Sequence, residues 1–160
     1  MQQLLPIAEK IGALLKQRRE TISLAESTTG GLVSAALLSV PGASAYYVAG
    51  SDVYTLKARR VILEVPDAAF AHIKSVTEEG ALILARAALQ RFGTTWSIAE
   101  IGASGPTGNR YGDAAGHSCI AIAGPVEKSI TVETGSADRL ANMRTFSAAA
   151  LNLLLESLTA

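Results

Sequence analysis

The chain has 160 residues, the length of one ordinary domain, and 49% of them are hydrophobic, which is enough for a sizeable core. Lys plus Arg and Asp plus Glu each number 14, and neither sign forms a long run, so the composition disfavours a nucleic-acid surface and a polybasic membrane face. We therefore expect a single domain over residues 1–160 that binds neither nucleic acid nor membrane.

Three features bear on where the protein works. The only cysteine, Cys119, lies in an apolar run, where a buried and unreactive thiol is expected. Glu9 and Lys10 interrupt the first apolar segment, which therefore lacks the pattern of a signal peptide. Pro41 breaks the charge-free stretch 27–51, which favours a buried helix followed by a buried strand over a membrane span. Together these features predict a cytoplasmic protein.

The first part of the chain predicts alternating helices and strands. In order, these are a helix over 2–19, a strand over 21–25, a helix over 30–39, a strand over 46–49 and a short helix over 54–63. The first helix is amphipathic, with the apolar stripe Leu4, Leu5, Ala8, Ile11, Leu14 and Leu15. The short helix has the densest positive charge of the chain, from Lys57, Arg59 and Arg60.

The rest of the chain predicts a helix over 75–91, strands over 96–103, 118–123 and 129–133, and a long helix over 137–158. Ser75-Val76-Thr77-Glu78 fits a capping box, and Gly93 closes the helix that it opens. The apolar residues expected to face inward are Leu82, Ala85, Leu89 and Phe92 on this helix, and Met143, Phe146, Ala150, Leu153 and Leu154 on the last one. The strands 118–123 and 129–133 meet at Gly124-Pro125 and form a predicted hairpin. The order of elements predicts an α/β fold class, a three-layer α/β/α sandwich with a mixed sheet.

The stretch Ala25-Glu26-Ser27-Thr28-Thr29-Gly30-Gly31 connects the first predicted strand to the second predicted helix, so Ser27 lies on a strand-to-helix turn. A helix start has free backbone N–H groups and the positive end of the helix dipole, which together favour an anion or oxyanion. Three hydroxyls follow within one turn, and the two glycines allow a ligand to approach closely. Serine and threonine are also the preferred N-caps, so capping and chemistry are alternative explanations here.

A second turn-forming segment, Ser104 to Asn109, follows the predicted strand 96–103. Ligands of α/β sheets gather outside strand ends, so this loop and the turn at Ser27 are the first places to expect a pocket. The loop lacks the spacing and the lysine of a phosphate-binding P-loop. No His or Cys cluster has metal-ligand spacing, and we expect neither a metal nor an organic cofactor.

Three motifs occur in order along the chain: A-E-S-x-T-G-G at 25–31, P-G-x-S-A-Y at 41–46 and G-x-x-G-P-x-G at 102–108. Asp138-Arg139 with Arg144 adds weaker support. In this combination the chain resembles, over essentially its whole length, the CinA C-terminal domain family, which includes bacterial nicotinamide-nucleotide amidases. The resemblance implies hydrolysis of nicotinamide mononucleotide to nicotinate mononucleotide and ammonia. It also favours a homo-oligomer.

The resemblance further implies roles for individual residues. Ser27 is similar to the family's nucleophile, which is helped by a serine and a tyrosine that correspond to Ser44 and Tyr54. A catalytic lysine is expected at position 59, where this chain has Arg59. The expected substrate-binding residues are Thr28, Thr29, Gly30, Gly31, Gly105, Pro106, Thr107, Gly108, Arg139 and Arg144.

Arginine at position 59 changes the chemistry that can be expected. A serine needs a neighbouring base, and a lysine can act as one when burial keeps it neutral. A guanidinium stays protonated, so Arg59 can bind an anion in bidentate fashion but cannot be the general base. Losing a general base costs about two to four orders of magnitude in rate.

The chain offers few replacements for that base. Lys57 is expected on another face of the helix, and Glu26 on the side of the strand opposite to Ser27. His72 and His117 have no predicted place near the turn, and a lone histidine is more often structural. Three hypotheses therefore remain: an amidase, a catalytically silent nucleotide-binding or interaction module, and a domain in which the motifs only shape turns and caps.

Overall fold

The computed structural model describes residues 1–160 and contains one five-stranded sheet with helices on both faces. The strands are β1 (Ile22–Glu26), β2 (Tyr47–Asp52), β3 (Trp96–Ala103), β4 (His117–Ala123) and β5 (Lys128–Glu133). The helices are α1 (Leu5–Arg18), α2 (Leu32–Leu38), α3 (Leu56–Leu63), α4 (Glu78–Phe92) and α5 (Arg139–Thr159). Two short 3₁₀ turns lie at Ala43–Ala45 and Asp67–Phe70.

The strand order is β2-β1-β3-β4-β5. β1 pairs in parallel with β2 and β3, whereas β3 with β4 and β4 with β5 are antiparallel. The mixed sheet and the hairpin between β4 and β5 are therefore confirmed.

Two hydrophobic cores flank the sheet. α1, α2 and α5 cover one face with a cluster of 21 buried residues, while α4 and α3 cover the other with a cluster of 14. Side-chain alternation divides β1 between them, because Ile22 and Leu24 belong to the larger core and Ala25 to the smaller one. All five residues of β1 are buried, as expected for a strand covered on both faces. The three-layer α/β/α sandwich is confirmed.

The start of α4 differs from the capping-box prediction. The N-cap is Thr77, whose hydroxyl accepts a hydrogen bond from the Gly80 N–H at 3.1 Å, and the helix begins at Glu78. Ser75 lies before the helix, where its hydroxyl accepts a bond from Arg59 instead.

The buried face of α4 also differs from the predicted one. It consists mainly of small residues, Gly80, Ala81, Leu84, Ala85 and Ala88. The predicted Leu82, Leu89 and Phe92 are only partly buried, because they pack at the edges of the smaller core. None of the five helices combines the length and the apolar character that a membrane crossing requires.

Candidate active site at the end of the first strand

Ser27 directly follows β1, where the chain turns towards α2, as the sequence predicts. Strand alternation directs its side chain to the face of the sheet that α3 and α4 cover, the face to which Ala25 also points. Only 6% of Ser27 is exposed. The position of Ser27 is thus set by the buried strand that it follows.

The N-terminus of α2 is occupied by a carboxylate of the chain itself. Glu26 accepts hydrogen bonds from the N–H groups of Val33 at 3.1 Å and Ser34 at 2.8 Å, and from the Thr29 hydroxyl at 2.8 Å. An acidic side chain at a helix start satisfies the unpaired donors and complements the dipole. The Val33 and Ser34 N–H groups of the helix start are therefore not free for an anion, contrary to the prediction from the turn sequence.

A second buried carboxylate, Glu100 of β3, holds the rest of the turn. It accepts hydrogen bonds from the N–H groups of Ser27 at 3.3 Å and Thr29 at 3.0 Å, and from the hydroxyls of Thr28 and Ser118. Burial raises the pKa of Glu100, and these hydrogen bonds oppose that shift. The Thr28 and Thr29 hydroxyls, predicted to bind substrate, bond to these two carboxylates instead.

Three groups at the turn are left without partners in the chain. The Ser27 hydroxyl makes no hydrogen bond, and neither do the backbone N–H groups of Thr28 and Gly31. The Gly30 N–H, by contrast, donates to the Ser27 carbonyl at 3.2 Å. Gly31 adopts a φ of 83°, which a residue with a side chain rarely does. A free hydroxyl and free N–H donors within one turn are the groups that acyl transfer uses.

A cavity of about 420 Å³ lies next to Ser27; we call it the Ser27 cavity. Its lining includes the predicted catalytic residues Tyr54 and Arg59. Tyr54 is 57% exposed, and its hydroxyl accepts a hydrogen bond from Arg139 Nη2 at 3.4 Å. The other lining residues are Thr55, Leu56, Lys57, Val76, Ile101, Gly102, Asn109, Arg110 and Tyr111.

Arg59 is buried, with 5% exposure. Its Nη1 donates to the Ser75 hydroxyl at 2.8 Å, and its guanidinium carbon lies 5.3 Å from the centre of the Phe70 ring. Nε is buried without a hydrogen-bond partner, and no carboxylate forms an ion pair with the side chain. Burial lowers the pKa of Arg59. A guanidinium nonetheless remains a cation in proteins, so this position cannot supply a base.

A second cavity, of about 280 Å³, adjoins the first at Arg59; we call it the Arg59 cavity. Leu56 and Tyr111 also line both cavities. The remaining walls are Val65, Pro66, Asp67, Phe70, Ile73, Lys74 and Ser75.

Lys57 lies on another face of α3 than Arg59, as predicted, since it is exposed whereas Arg59 is buried, but it lines the Ser27 cavity as well. The cavity is wide enough to take residues from more than one face of α3. Lys57 is exposed whereas Arg59 is buried, so the two cations differ in how firmly their positions are fixed.

Ser44 lies away from this cavity. It is exposed on the 3₁₀ turn Ala43–Ala45, directly before β2, and Tyr47 at the start of β2 pairs with Ile22 at the start of β1. In parallel strands, residues before one strand and after its neighbour lie at opposite edges of the sheet. Within one chain the structure therefore does not bring Ser44 to Ser27.

In the loop that follows β3, Asn109 lines the Ser27 cavity, whereas Gly105, Pro106, Thr107 and Gly108 line neither cavity. The Gly105 carbonyl accepts a hydrogen bond from Arg139 Nη1 at 2.6 Å, and a side chain at Gly108 would overlap the Asp113 carbonyl. Pro106 and Thr107 are exposed. The glycines of this motif therefore shape the loop, and Arg139 connects it to Tyr54.

Arg144 is exposed on α5 and makes no hydrogen bond or ion pair. The two histidines also lie outside the Ser27 cavity. His72 is exposed, and His117 bonds to Glu133 on the neighbouring strand. The structure arranges no group of three or more His, Cys, Asp or Glu residues that could hold a metal ion.

Sequence reasoning missed Glu100, Ser75 and Phe70. Glu100 had a usable signal, because a lone acidic residue in an otherwise apolar strand must find donors when it is buried. Ser75 and Phe70 had none, since their contacts with Arg59 depend on how the segment after α3 folds back.

Comparison with known proteins agrees with this architecture. The protein-family model of the CinA C-terminal domain matches residues 4–158. A CinA-like protein of Chloroherpeton thalassium is 37% identical over 98% of this chain, and one of Prochlorococcus marinus is 39% identical over 81%. The chain spans only 38% and 31% of the length of these relatives.

Solved structures of the same superfamily match along the whole fold. A competence-damaged protein (CinA) superfamily protein from Escherichia coli has a TM-score of 0.89 at 25% identity, covering 96% of this chain and 89% of its own. A competence/damage inducible protein from Agrobacterium tumefaciens has a TM-score of 0.90 at 26% identity, covering 98% and 96%.

Proposed function

The chain belongs to the CinA C-terminal domain family, and from this premise we propose that it is a nicotinamide-nucleotide amidohydrolase. The proposed reaction converts nicotinamide mononucleotide to nicotinate mononucleotide and ammonia. The observation that carries the proposal is the Ser27 hydroxyl, which makes no hydrogen bond and belongs to the same turn as the unpaired N–H groups of Thr28 and Gly31. The carboxamide of the nicotinamide ring is the group that the Ser27 hydroxyl would attack.

In the proposed reaction Ser27 Oγ attacks the carboxamide carbon, and the Thr28 and Gly31 N–H groups receive the developing oxyanion. As the tetrahedral intermediate collapses, the C–N bond breaks, the leaving nitrogen takes up the proton of the Ser27 hydroxyl and departs as ammonia, and water hydrolyses the remaining acyl-enzyme to the acid. The Glu26 and Glu100 carboxylates fix the turn and thereby hold the hydroxyl and the donors in place. Tyr54, which is exposed and hydrogen-bonded to Arg139, lines the Ser27 cavity, where it can orient the nucleotide.

Because Arg59 replaces the expected lysine, the proposed activity lacks its general base. We expect turnover about two to four orders of magnitude below that of a family member with the lysine. Ammonia release from nicotinamide mononucleotide tests this in the wild type, in Ser27→Ala and in Arg59→Lys, each checked for folding by circular dichroism. Activity should vanish in Ser27→Ala and rise in Arg59→Lys, and Arg86→Lys provides a matched surface control.

Absence of ammonia from folded, saturated wild type and from Arg59→Lys would exclude the proposed reaction. Ser44→Ala adds a second test. Since Ser44 is remote from Ser27 in one chain, a loss of activity in a folded Ser44→Ala variant would support a homo-oligomer in which another subunit brings Ser44 to the site. We propose such a homo-oligomer in the cytoplasm, with a nucleotide as its small-molecule partner.

A second candidate function is binding of a nucleotide-like anion without hydrolysis. The observation that favours it is the buried guanidinium of Arg59, which has no counterion in the chain. Calorimetry with nicotinamide and nicotinate mononucleotides would then show binding by a wild type that releases no ammonia.

A further inference from the structure

We propose that the Arg59 cavity is a subsite for the carboxylate of a small, flat organic acid. The inference deepens the proposed function and rests on it for the link between the two sites, because Arg59 lines both the Arg59 cavity and the Ser27 cavity. It concerns recognition of an acid, whereas the proposed reaction concerns cleavage of an amide. The two can therefore fail separately.

The first argument is charge balance. The Arg59 cavity is lined by two other charged side chains, and both are paired: Lys74 with Asp113, and Asp67 with Arg60 at 2.7 Å. Arg59 alone has no partner of opposite charge. A buried cation without a counterion is costly, and one bound monoanion would offset that cost. A phosphate dianion would leave one negative charge unmatched.

The second argument is the geometry of the guanidinium. Ser75 takes Nη1, while Nε and Nη2, which share one edge of the group, make no hydrogen bond in the chain. In Arg86, the same edge of the guanidinium binds a carboxylate. Its Nε and Nη2 donate to the two oxygens of Glu127 at 2.8 and 2.6 Å. The unpaired edge of Arg59 thus has the donor pattern that binds a carboxylate in bidentate fashion, and its buried Nε still needs an acceptor.

The third argument is the apolar wall. The Phe70 ring lies beside the guanidinium, and Leu56, Ile73 and Tyr111 continue the surface. A volume of about 280 Å³ is below the range of drug-sized sites, which suits a fragment such as one aromatic ring with its acid group. The apolar walls favour a flat ligand of matching shape, and the guanidinium favours a ligand that carries a carboxylate.

Acid and amide pairs of the same shape test the proposal directly. We would titrate the wild-type protein with benzoate and benzamide, and with nicotinate and nicotinamide, by calorimetry. The acid of each pair should bind about tenfold or more tightly, as expected for a charge-assisted bidentate pair. Arg59→Gln should abolish the preference, Arg59→Lys should weaken it, and Arg86→Gln, which removes an equal charge elsewhere, should leave it unchanged.

A measurement on the wild type keeps the test valid if an Arg59 variant does not fold. The NMR signal of Arg59 Nε–H should shift on titration with benzoate and stay in place with benzamide. Equal affinities for acid and amide, or an unmoved Nε–H signal, would overturn the proposal. Displacement of benzoate by inorganic phosphate at lower concentration than benzoate itself would also overturn it, in favour of a phosphate subsite. If the protein bound the acids more tightly than the amides but released no ammonia, only the amidase proposal would be refuted. If it released ammonia but bound acids and amides equally, only the subsite proposal would be refuted.

Discussion

Glu100 is fully buried in the middle of β3, and its two oxygens accept hydrogen bonds from the turn that carries Ser27. Replacing it by glutamine turns one acceptor into an NH₂ group that faces other donors. We therefore expect Glu100→Gln to lower the free energy of unfolding by about 2–4 kcal/mol, since buried donors lose their acceptor. Urea unfolding measures the change, and Glu79→Gln on the exposed side of α4 should stay within about 0.5 kcal/mol. A similar effect of both substitutions would show that Glu100 does not hold the turn.

Single residues were predictable where the local sequence determines their setting. Ser27 follows a buried strand and precedes a helix, so its turn could be read from the sequence. The partners of Arg59 could not be predicted, because Ser75 lies 16 residues away and its pairing depends on tertiary packing. Ser44 came from resemblance alone, and no local rule indicates that it lies at the other edge of the sheet.

At the scale of elements, His117 on β4 and Glu133 on β5 face each other as a cross-strand pair. Burial disfavours the charged imidazole, but the bond to Glu133 and the nearby Asp113 outweigh it, so the pKa of His117 is raised above 6.5. A raised histidine pKa stabilises the fold fully below pH 6.5, and this stabilisation is lost as pH rises through the folded-state value.

We therefore expect the unfolding free energy of the wild type to fall as pH rises above 6.5, and to fall less in His117→Gln. Urea unfolding at several pH values on both sides of that point measures this difference. The pKa of Asp113 is lowered by Lys74 and Asn109 despite burial, so its contribution disappears only in acid and does not overlap with this window. His72→Gln, which changes an exposed histidine, should follow the wild type, and identical pH profiles for all three proteins would contradict the assignment.

Element positions were predictable to within a few residues because hydrophobic period and caps are local signals. β3 is found at its predicted bounds, 96–103, and Gly93 ends α4 with a φ of 62°. The cap of α2 was not predictable, since an acidic residue of the preceding strand has to fold back onto it. The strand order likewise depends on pairing between segments far apart in the chain, which the local pattern does not specify.

At the scale of the whole molecule, both cores include buried residues of β1, β3 and β4. Alternate side chains of β1 and β3 belong to the two cores, so loss of packing on either face exposes apolar side chains of strands that the other core also needs. We therefore expect one cooperative unfolding transition rather than two. Trp96, the only tryptophan, is 2% exposed and reports on the larger core.

Two leucines test this coupling from opposite faces. Leu84 on α4 belongs to the smaller core and Leu154 on α5 to the larger one, and both are completely buried. Each leucine-to-alanine substitution should lower the unfolding free energy by about 2–5 kcal/mol, and the sheet between them should make the double mutant additive to about 0.5 kcal/mol. Leu140→Ala, at a position 63% exposed, should have little effect.

Urea curves from Trp96 fluorescence and far-UV circular dichroism should coincide in every variant. If Leu84→Ala instead lost helix signal before the fluorescence changed, the smaller core would unfold on its own, and the Arg59 side of the site would be the less stable half of the molecule.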